Sequence, residues 1–208
     1  MVCCLLLWLH TSGHCPVRDS LLSIAEKELG VIEVTENDAP RIRQYLGSCD
    51  IYEPNPWCAA YINWVYKQLG LSTPKYAASA KAWTEINRTK EPRSGDIGSL
   101  YYSKLGRVGH AFIIESVDEK NFITIEGNTR PSLVMDFDGD RVLRKIRPIG
   151  TVFATSNWVG DVTHEVQPGE NLYRISLRYN TTVAEIQRLN GLPDNFIKVG
   201  QVLNVGGC

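Results

Sequence analysis

Residues 55–66 read NPWCAAYINWVY and place a cysteine where a helix begins. Cys58, Tyr61, Ile62, Val65 and Leu69 recur at the i, i+3, i+4, i+7, i+11 spacing of one helical face. Pro56 suits a first turn, and Gly70 with Pro74 beyond it supplies a stop. The stretch poses a choice. Cys58 is either one more apolar residue on the buried face or a thiol placed there to react.

Outward from this helix the chain divides into two textures. Upstream, SLLSIAEKELG (20–30) puts Leu21, Leu22, Ala25 and Leu29 on one face and closes on Gly30, and APRIRQYLG (39–47) reads as a second short helix. ASAKAWTEIN (78–87) follows as a weaker fourth. From Arg93 the runs become short, β-branched and aromatic: SGDIGSLYY, GHAFIIESV, NFITIEGN, DRVLRKIRP and IGTVFAT, the last ending near Thr155. Separated by Gly, Asp and Asn, they predict antiparallel strands. Helices first and strands after give an α+β domain over 16–155.

DFDGD (136–140) carries an Asp-Gly hairpin turn. Its Asp-x-Asp start resembles a calcium loop, but Arg141 stands where that loop needs glycine and Arg147 where it needs glutamate. SNWVGDV (156–162) is expected to be a linker. Residues 163–205 then predict a small separate βααβ unit. Leu172, Ile175 and Tyr179 point inward from its first helix, and Thr182 with Glu185 forms a capping box that starts the second, which carries Ile186 and Leu189.

Composition narrows the function classes. The 208 residues carry a formal net charge of −1, with 43% apolar and 22% charged residues. That is ordinary globular protein without the basic footprint of a nucleic-acid or anionic-membrane binder. The apolar run Val2–Leu9 is too short to span a bilayer, which takes about 20 residues. It fits the core of a secretory signal within residues 1–15, with Ser12 and Gly13 near a cut, although no Lys or Arg precedes it. A buried N-terminal segment is the other reading. The six cysteines show no metal-ligand spacing, and no cofactor is implied. Cys3 and Cys4 would leave with a signal peptide, and at most one pair can form among Cys15, Cys49 and Cys208 if Cys58 is catalytic; a Cys15–Cys49 bridge is one option.

A thiol attacks as its thiolate, which the first turn of a helix and a nearby imidazole both favour. Of the four histidines, His10 and His14 lie in the leader and His164 begins the C-terminal unit, which leaves His110, at a strand start. On the next strand Glu126 and Asn128 are two apart and share a face, so either could orient the imidazole. Each feature alone is more often structural. Their joint presence favours catalysis.

PWCAAYINW, RSGDIGSLYY, GHAFIIE and IEGNT, in that order, resemble the motifs of the CHAP family (cysteine, histidine-dependent amidohydrolases/peptidases), to which the NlpC-type cell-wall peptidases are close. The resemblance spans about residues 20–154. It implies a papain-like fold and cleavage of amide bonds in peptidoglycan peptides. Cys58 is then the nucleophile, His110 the general base and acid, and Glu126 the orienting residue. Asn128 matches the family's second polar position, to position the imidazole or help hold the oxyanion. HEVQPGENLYRISLRY, AEIQRLNGL and IKVGQVLNV are similar to LysM modules, with GEN where GDT is commoner. That similarity implies binding of N-acetylglucosamine-containing glycan by two loops, one of Gly169, Glu170, Asn171 and Leu172, the other of Pro193, Asp194, Asn195, Phe196 and Ile197. Together they imply a peptidoglycan hydrolase held on its substrate by tethering, in the cell wall or periplasm if the N-terminus is a signal, and otherwise a phage lysin released by other means. A non-catalytic wall-binding adaptor and a thiol acyltransferase are the competing classes.

Overall fold

The periodicity around Cys58 becomes the central helix of the first of two units. The computed structural model describes residues 15–131, 139–159, 162–179 and 181–206. Residues Val17–Val162 form one unit, and the chain from Thr163 onward belongs to the other. The first unit runs α1 (Pro16–Lys27), α2 (Pro40–Gly47), α3 (Cys58–Lys67) and α4 (Ala80–Glu85), then β1 (Ile97–Tyr102), β2 (Arg107–Val117), β3 (Asn121–Thr129), β4 (Arg141–Pro148) and β5 (Ala154–Ser156). The strands form one antiparallel sheet in the order β4-β3-β2-β1-β5. The expected α+β class holds. The hairpin turn expected at 136–140 falls largely outside the described residues.

The alternation of side chains sorts the sheet into two faces. Ile97, Ala111, Ile113, Ile125 and Val142 meet the helices through Leu21, Ile42, Tyr61, Ile62, Val65 and Trp83. Leu100, Tyr102, Phe112, Ile114 and Phe122 form a second cluster with Val152. The sequence pattern gives α3 one buried face, yet Ala59, Ala60, Asn63 and Tyr66 are buried as well. A helix packed by α2, α4, β2 and β3 has no solvent side to spare. Its N-terminal half is pinned by aromatics: Tyr45 stands 5.6 Å from Trp57 and edge-on to Tyr61 at 5.3 Å. The Tyr61 hydroxyl donates to the Ala25 carbonyl at 3.0 Å.

Three expectations are corrected. Helix α1 starts at Pro16, because proline suits the first helical position, and so includes Arg18. That buried guanidinium pairs with buried Asp96 at 2.7 Å and tethers α1 to the start of β1. The strand predicted over 149–155 is only Ala154–Ser156; Ile149–Thr151 is a 3-10 turn after Pro148. The expected linker at 156–162 is anchored at its start. Ser156 belongs to β5, and Trp158 donates from Nε1 to the Trp83 carbonyl at 2.6 Å and packs edge-on to that indole at 5.4 Å.

The second unit contains β6 (Val162–Glu165), α5 (Leu172–Arg178), α6 (Val183–Asn190) and β7 (Val202–Gly206), with β6 paired to β7. Leu172, Ile175, Ile186, Leu203 and Val205 are its buried apolar residues, joined by Val166. Only half of the expected capping box forms: Thr182 accepts from the Glu185 N–H at 3.1 Å, while the Glu185 carboxylate turns to Arg188.

Close packing under α3 makes a stability test. A Cβ at Gly127 would lie 2.7 Å from Trp57 Cζ3 and 2.9 Å from Tyr61 Cβ. Gly127→Ala is expected to destabilise this unit by about 1–3 kcal/mol, roughly 2–12 °C in thermal melting. An unchanged melt would contradict this packing.

Candidate active site

Cys58 is the first residue of α3, so the first-turn N–H groups, which lack intrahelical partners, lie around its side chain. Trp57, fully buried, caps the helix with backbone alone. His110 lies on β2, opposite Leu100 of β1, and Glu126 lies on the neighbouring β3. The structure brings three of the four predicted residues together: His110 lies close enough to Cys58 for its imidazole to act on the thiol, and His110 Nε2 meets Glu126 Oε2 at 3.0 Å. With Nε2 on the carboxylate, Nδ1 is the ring nitrogen left for the thiol.

Asn128 departs from the expectation that it shares the face of Glu126. Its φ is 54°, in the left-handed region, and the β3–β4 register shifts between Glu126 and Thr129. The period of two therefore breaks one residue before Asn128, and its side chain leaves His110. Asn128 Oδ1 accepts from the Trp57 N–H at 3.3 Å, and its Nδ2 donates to the Gly139 carbonyl at 2.5 Å and to Glu33 Oε1 at 3.3 Å. The same Glu33 oxygen accepts from Trp57 Nε1 at 2.8 Å. Asn128 and Glu33 thus hold the residue before Cys58, and of the two candidates it is Glu126 that contacts the imidazole.

Burial and charge set the protonation states. Burial alone pushes the Cys58 thiol up, but the His110 hydrogen bond and charge, with the Ala111 and Ala59 N–H groups, outweigh it and leave the thiol below its ordinary value. For His110 burial works downward, while its bonds to Cys58 and Glu126 raise it to about 9. Glu126 is fully buried, which disfavours its charge, yet Arg147 and His110 hold it well below the usual carboxylate range. Arg147 Nε reaches Glu126 Oε1 at 2.8 Å and Nη2 reaches Oε2 at 2.6 Å, and Thr124 Oγ1 adds a bond to Oε1 at 2.7 Å. These directions favour a thiolate beside an imidazolium, and a carboxylate beside a guanidinium.

Sequence reasoning missed Arg147, Thr124 and Glu33. The signal for Arg147 lies in DRVLRKIRP: β4 buries Lys145 and Arg147 and leaves Ile146 57% exposed, an inversion of the usual strand pattern. Two cations turned inward at a spacing of two mark a buried anion on the next strand.

In the second unit the predicted glycan residues divide. Leu172 is a core residue at 1% exposure, and Asn171 caps α5 by accepting from the Arg174 N–H at 2.9 Å. The Glu170 carboxylate is tied to His164 Nε2 at 2.5 Å, the Gln167 N–H at 2.9 Å and Arg178 at 2.8 Å. Gly169, Pro193, Asp194, Asn195 and Phe196 are exposed, Phe196 to 70%, and Ile197 is half-buried.

A CHAP domain model matches residues 50–128, the stretch that holds Cys58, His110 and Glu126, and a LysM domain model matches residues 164–206. The chain carries a CHAP domain followed by a LysM domain. Among curated proteins it is similar to the probable peptidoglycan endopeptidase LytE of Bacillus subtilis (42% identical over 45 residues; 22% of this chain, 14% of the relative). It is also similar to the probable autolysin SsaALP of Staphylococcus aureus (48% over 44 residues; 21% and 17%). The N-acetylmuramoyl-L-alanine amidase sle1 of Staphylococcus haemolyticus matches at 49% over 45 residues (22% and 14%). The matched stretches thus span 14–17% of these relatives' lengths. Among solved structures, an NlpC/P60 family protein from Bacillus cereus superposes with a TM-score of 0.42 at 14% identity, covering 70% of this chain and 41% of that one.

The structure holds two free thiols among the described residues, Cys49 and Cys58, whereas Cys15 is disulfide-bonded, so the Cys15–Cys49 bridge does not form. Burial raises the Cys49 thiol, the opposite direction to Cys58. Iodoacetamide at mildly acidic pH is expected to label Cys58 well ahead of Cys49, read by peptide mass spectrometry. Equal rates, or Cys49 first, would contradict the ion pair.

Proposed function

We propose that the chain is a peptidoglycan hydrolase that cuts an amide bond of wall peptides through Cys58, and that the C-terminal unit holds it on glycan. A CHAP domain beside a LysM domain points to a cell-wall hydrolase, and a LysM module points to peptidoglycan as the binding partner and to the wall as the place of action. The observation that carries the mechanism is His110, which stands between Cys58, whose thiol it lowers, and buried Glu126, which its Nε2 meets at 3.0 Å.

The Cys58 thiolate attacks the amide carbonyl carbon, a C–S bond forms, and the carbonyl electrons move to oxygen. Collapse of that intermediate breaks the C–N bond, and the His110 imidazolium gives its proton to the departing amine. The resulting thioester is cleaved by a water whose proton returns to His110. Glu126 acts through His110 and not on the carbonyl itself. It holds the ring on Nε2 and stabilises its positive charge. Among the described residues no helix is long and apolar enough to cross a membrane. Binding to glycan would come from the exposed positions around Gly169 and from Pro193, Asp194, Asn195 and Phe196, with Leu172 supporting the loop from the core.

Purified protein is expected to solubilise bacterial walls. Cys58→Ala should lose about a thousand-fold or more of that activity while still sedimenting with walls. Full lysis by Cys58→Ala would refute the assignment. The pH profile carries a second expectation. Activity rises as the thiolate forms, below the ordinary cysteine range, and falls as the imidazolium raised to about 9 loses its proton. A kcat/KM profile on a soluble muropeptide should therefore be bell-shaped with its basic limb near that value. A profile that keeps climbing through the alkaline range would contradict it.

A further inference from the structure

We propose that Arg147 is a positioning residue for the Cys58 chemistry: its guanidinium clamps the Glu126 carboxylate through two hydrogen bonds and so fixes the plane in which His110 faces the thiol. The inference rests on the nucleophile assignment above and adds a member that lies outside the stretch 50–128 matched by the CHAP model.

Geometry makes the case. Glu126 is 0% exposed, and its Oε2 accepts from both His110 Nε2 at 3.0 Å and Arg147 Nη2 at 2.6 Å. The Oε1 atom accepts from Arg147 Nε at 2.8 Å and Thr124 Oγ1 at 2.7 Å. A side-on fork of this kind fixes the carboxylate plane, which a lysine's single ammonium does not. Because Oε2 is shared, any rotation of the carboxylate would carry the His110 contact with it.

Charge makes the case again. In the reactive state thiolate, imidazolium, carboxylate and guanidinium sum to zero in a buried site. Without Arg147 the first three carry one net negative charge, which a low-dielectric site opposes by keeping a proton on Cys58 or Glu126. Either proton removes the reactive state, so reaching it then takes a higher pH. The other titratable groups around the pair are Lys145 of β4, which lies near both Glu126 and Arg147, and Tyr102 of β1, which lies near Arg147. Lys145 is itself held on the Arg130 carbonyl at 2.7 Å. Tyr102 packs its ring over Gly109, where a Cβ would lie 2.3 Å from Tyr102 Cδ2.

The test compares wild type, Arg147→Met and Arg147→Lys in the full chain, with circular dichroism to confirm folding. The first readout needs no substrate: the rate of Cys58 alkylation by iodoacetamide against pH. Arg147→Met should move the midpoint of that curve upward by about one pH unit or more, equivalent to about ten-fold or more in the underlying equilibrium. Arg147→Lys should fall between Met and wild type, because it restores the charge without the fork. The second readout is hydrolysis of a soluble muropeptide, where kcat should fall about 10- to 100-fold while KM stays within about two-fold. An alkylation curve and kcat unchanged in folded Arg147→Met would overturn the proposal and leave Arg147 a structural ion pair. If Arg147→Met does not fold, the Lys variant decides, and a wild-type curve there overturns the proposal equally. Lysis that survives Cys58→Ala would instead remove the hydrolase mechanism, and the alkylation curves would still report on the clamp.

Discussion

Glu126 is a carboxylate with no exposure to water, and the site depends on keeping it charged. Removing an ion of this size from water costs on the order of several kcal/mol even in a relaxed protein interior, and only well-placed partners offset it. Here Arg147, Thr124 and His110 close around the two oxygens from β4, β3 and β2. The charged carboxylate raises the imidazole, and the raised imidazole in turn lowers the thiol. One buried ion pair therefore acts at a distance on the sulfur, through a ring that it also holds in place.

The other half of the arrangement is the position of the sulfur. Cys58 sits at the first turn of a helix buried nearly all round, so its backbone has little room to shift. The residue before it is held twice, by the Asn128 side chain at its N–H and by Glu33 at its indole. Gly127 lets the Trp57 and Tyr61 side chains approach β3 between the two polar residues that flank it. Thus Glu126 and Asn128, two positions apart, serve opposite ends of the same contact: one fixes the imidazole and the other fixes the start of α3.

Much of this was legible in the sequence, for reasons that can be named. The helix at Cys58, the strand at His110 and the polar end of β3 follow from periodicity and from the residue types that thiol chemistry requires. Asn128 falls outside what periodicity can place, because a strand period of two assumes extended backbone and its left-handed φ breaks that assumption. Arg147 is hidden because a charged residue in a strand reads as solvent-facing. Only the pairing of β3 with β4, Thr124 opposite Lys145 and Phe122 opposite Arg147, shows the cations turned inward. Arg18 is hidden likewise, since its partner Asp96 lies 78 residues away. Trp158, in a stretch that reads as linker, is held by Trp83 in the same non-local way.

The most direct measurement is the ultraviolet absorbance of the thiolate, titrated with pH in wild type, with Cys58→Ser as the reference that removes the signal. The expected result is a thiolate that forms below the ordinary cysteine range and whose formation His110→Ala moves to higher pH. A thiolate that forms only around the free-cysteine value of about 8.5, unaffected by His110→Ala, would contradict the central claim that Cys58 and His110 form an ion pair anchored on Glu126.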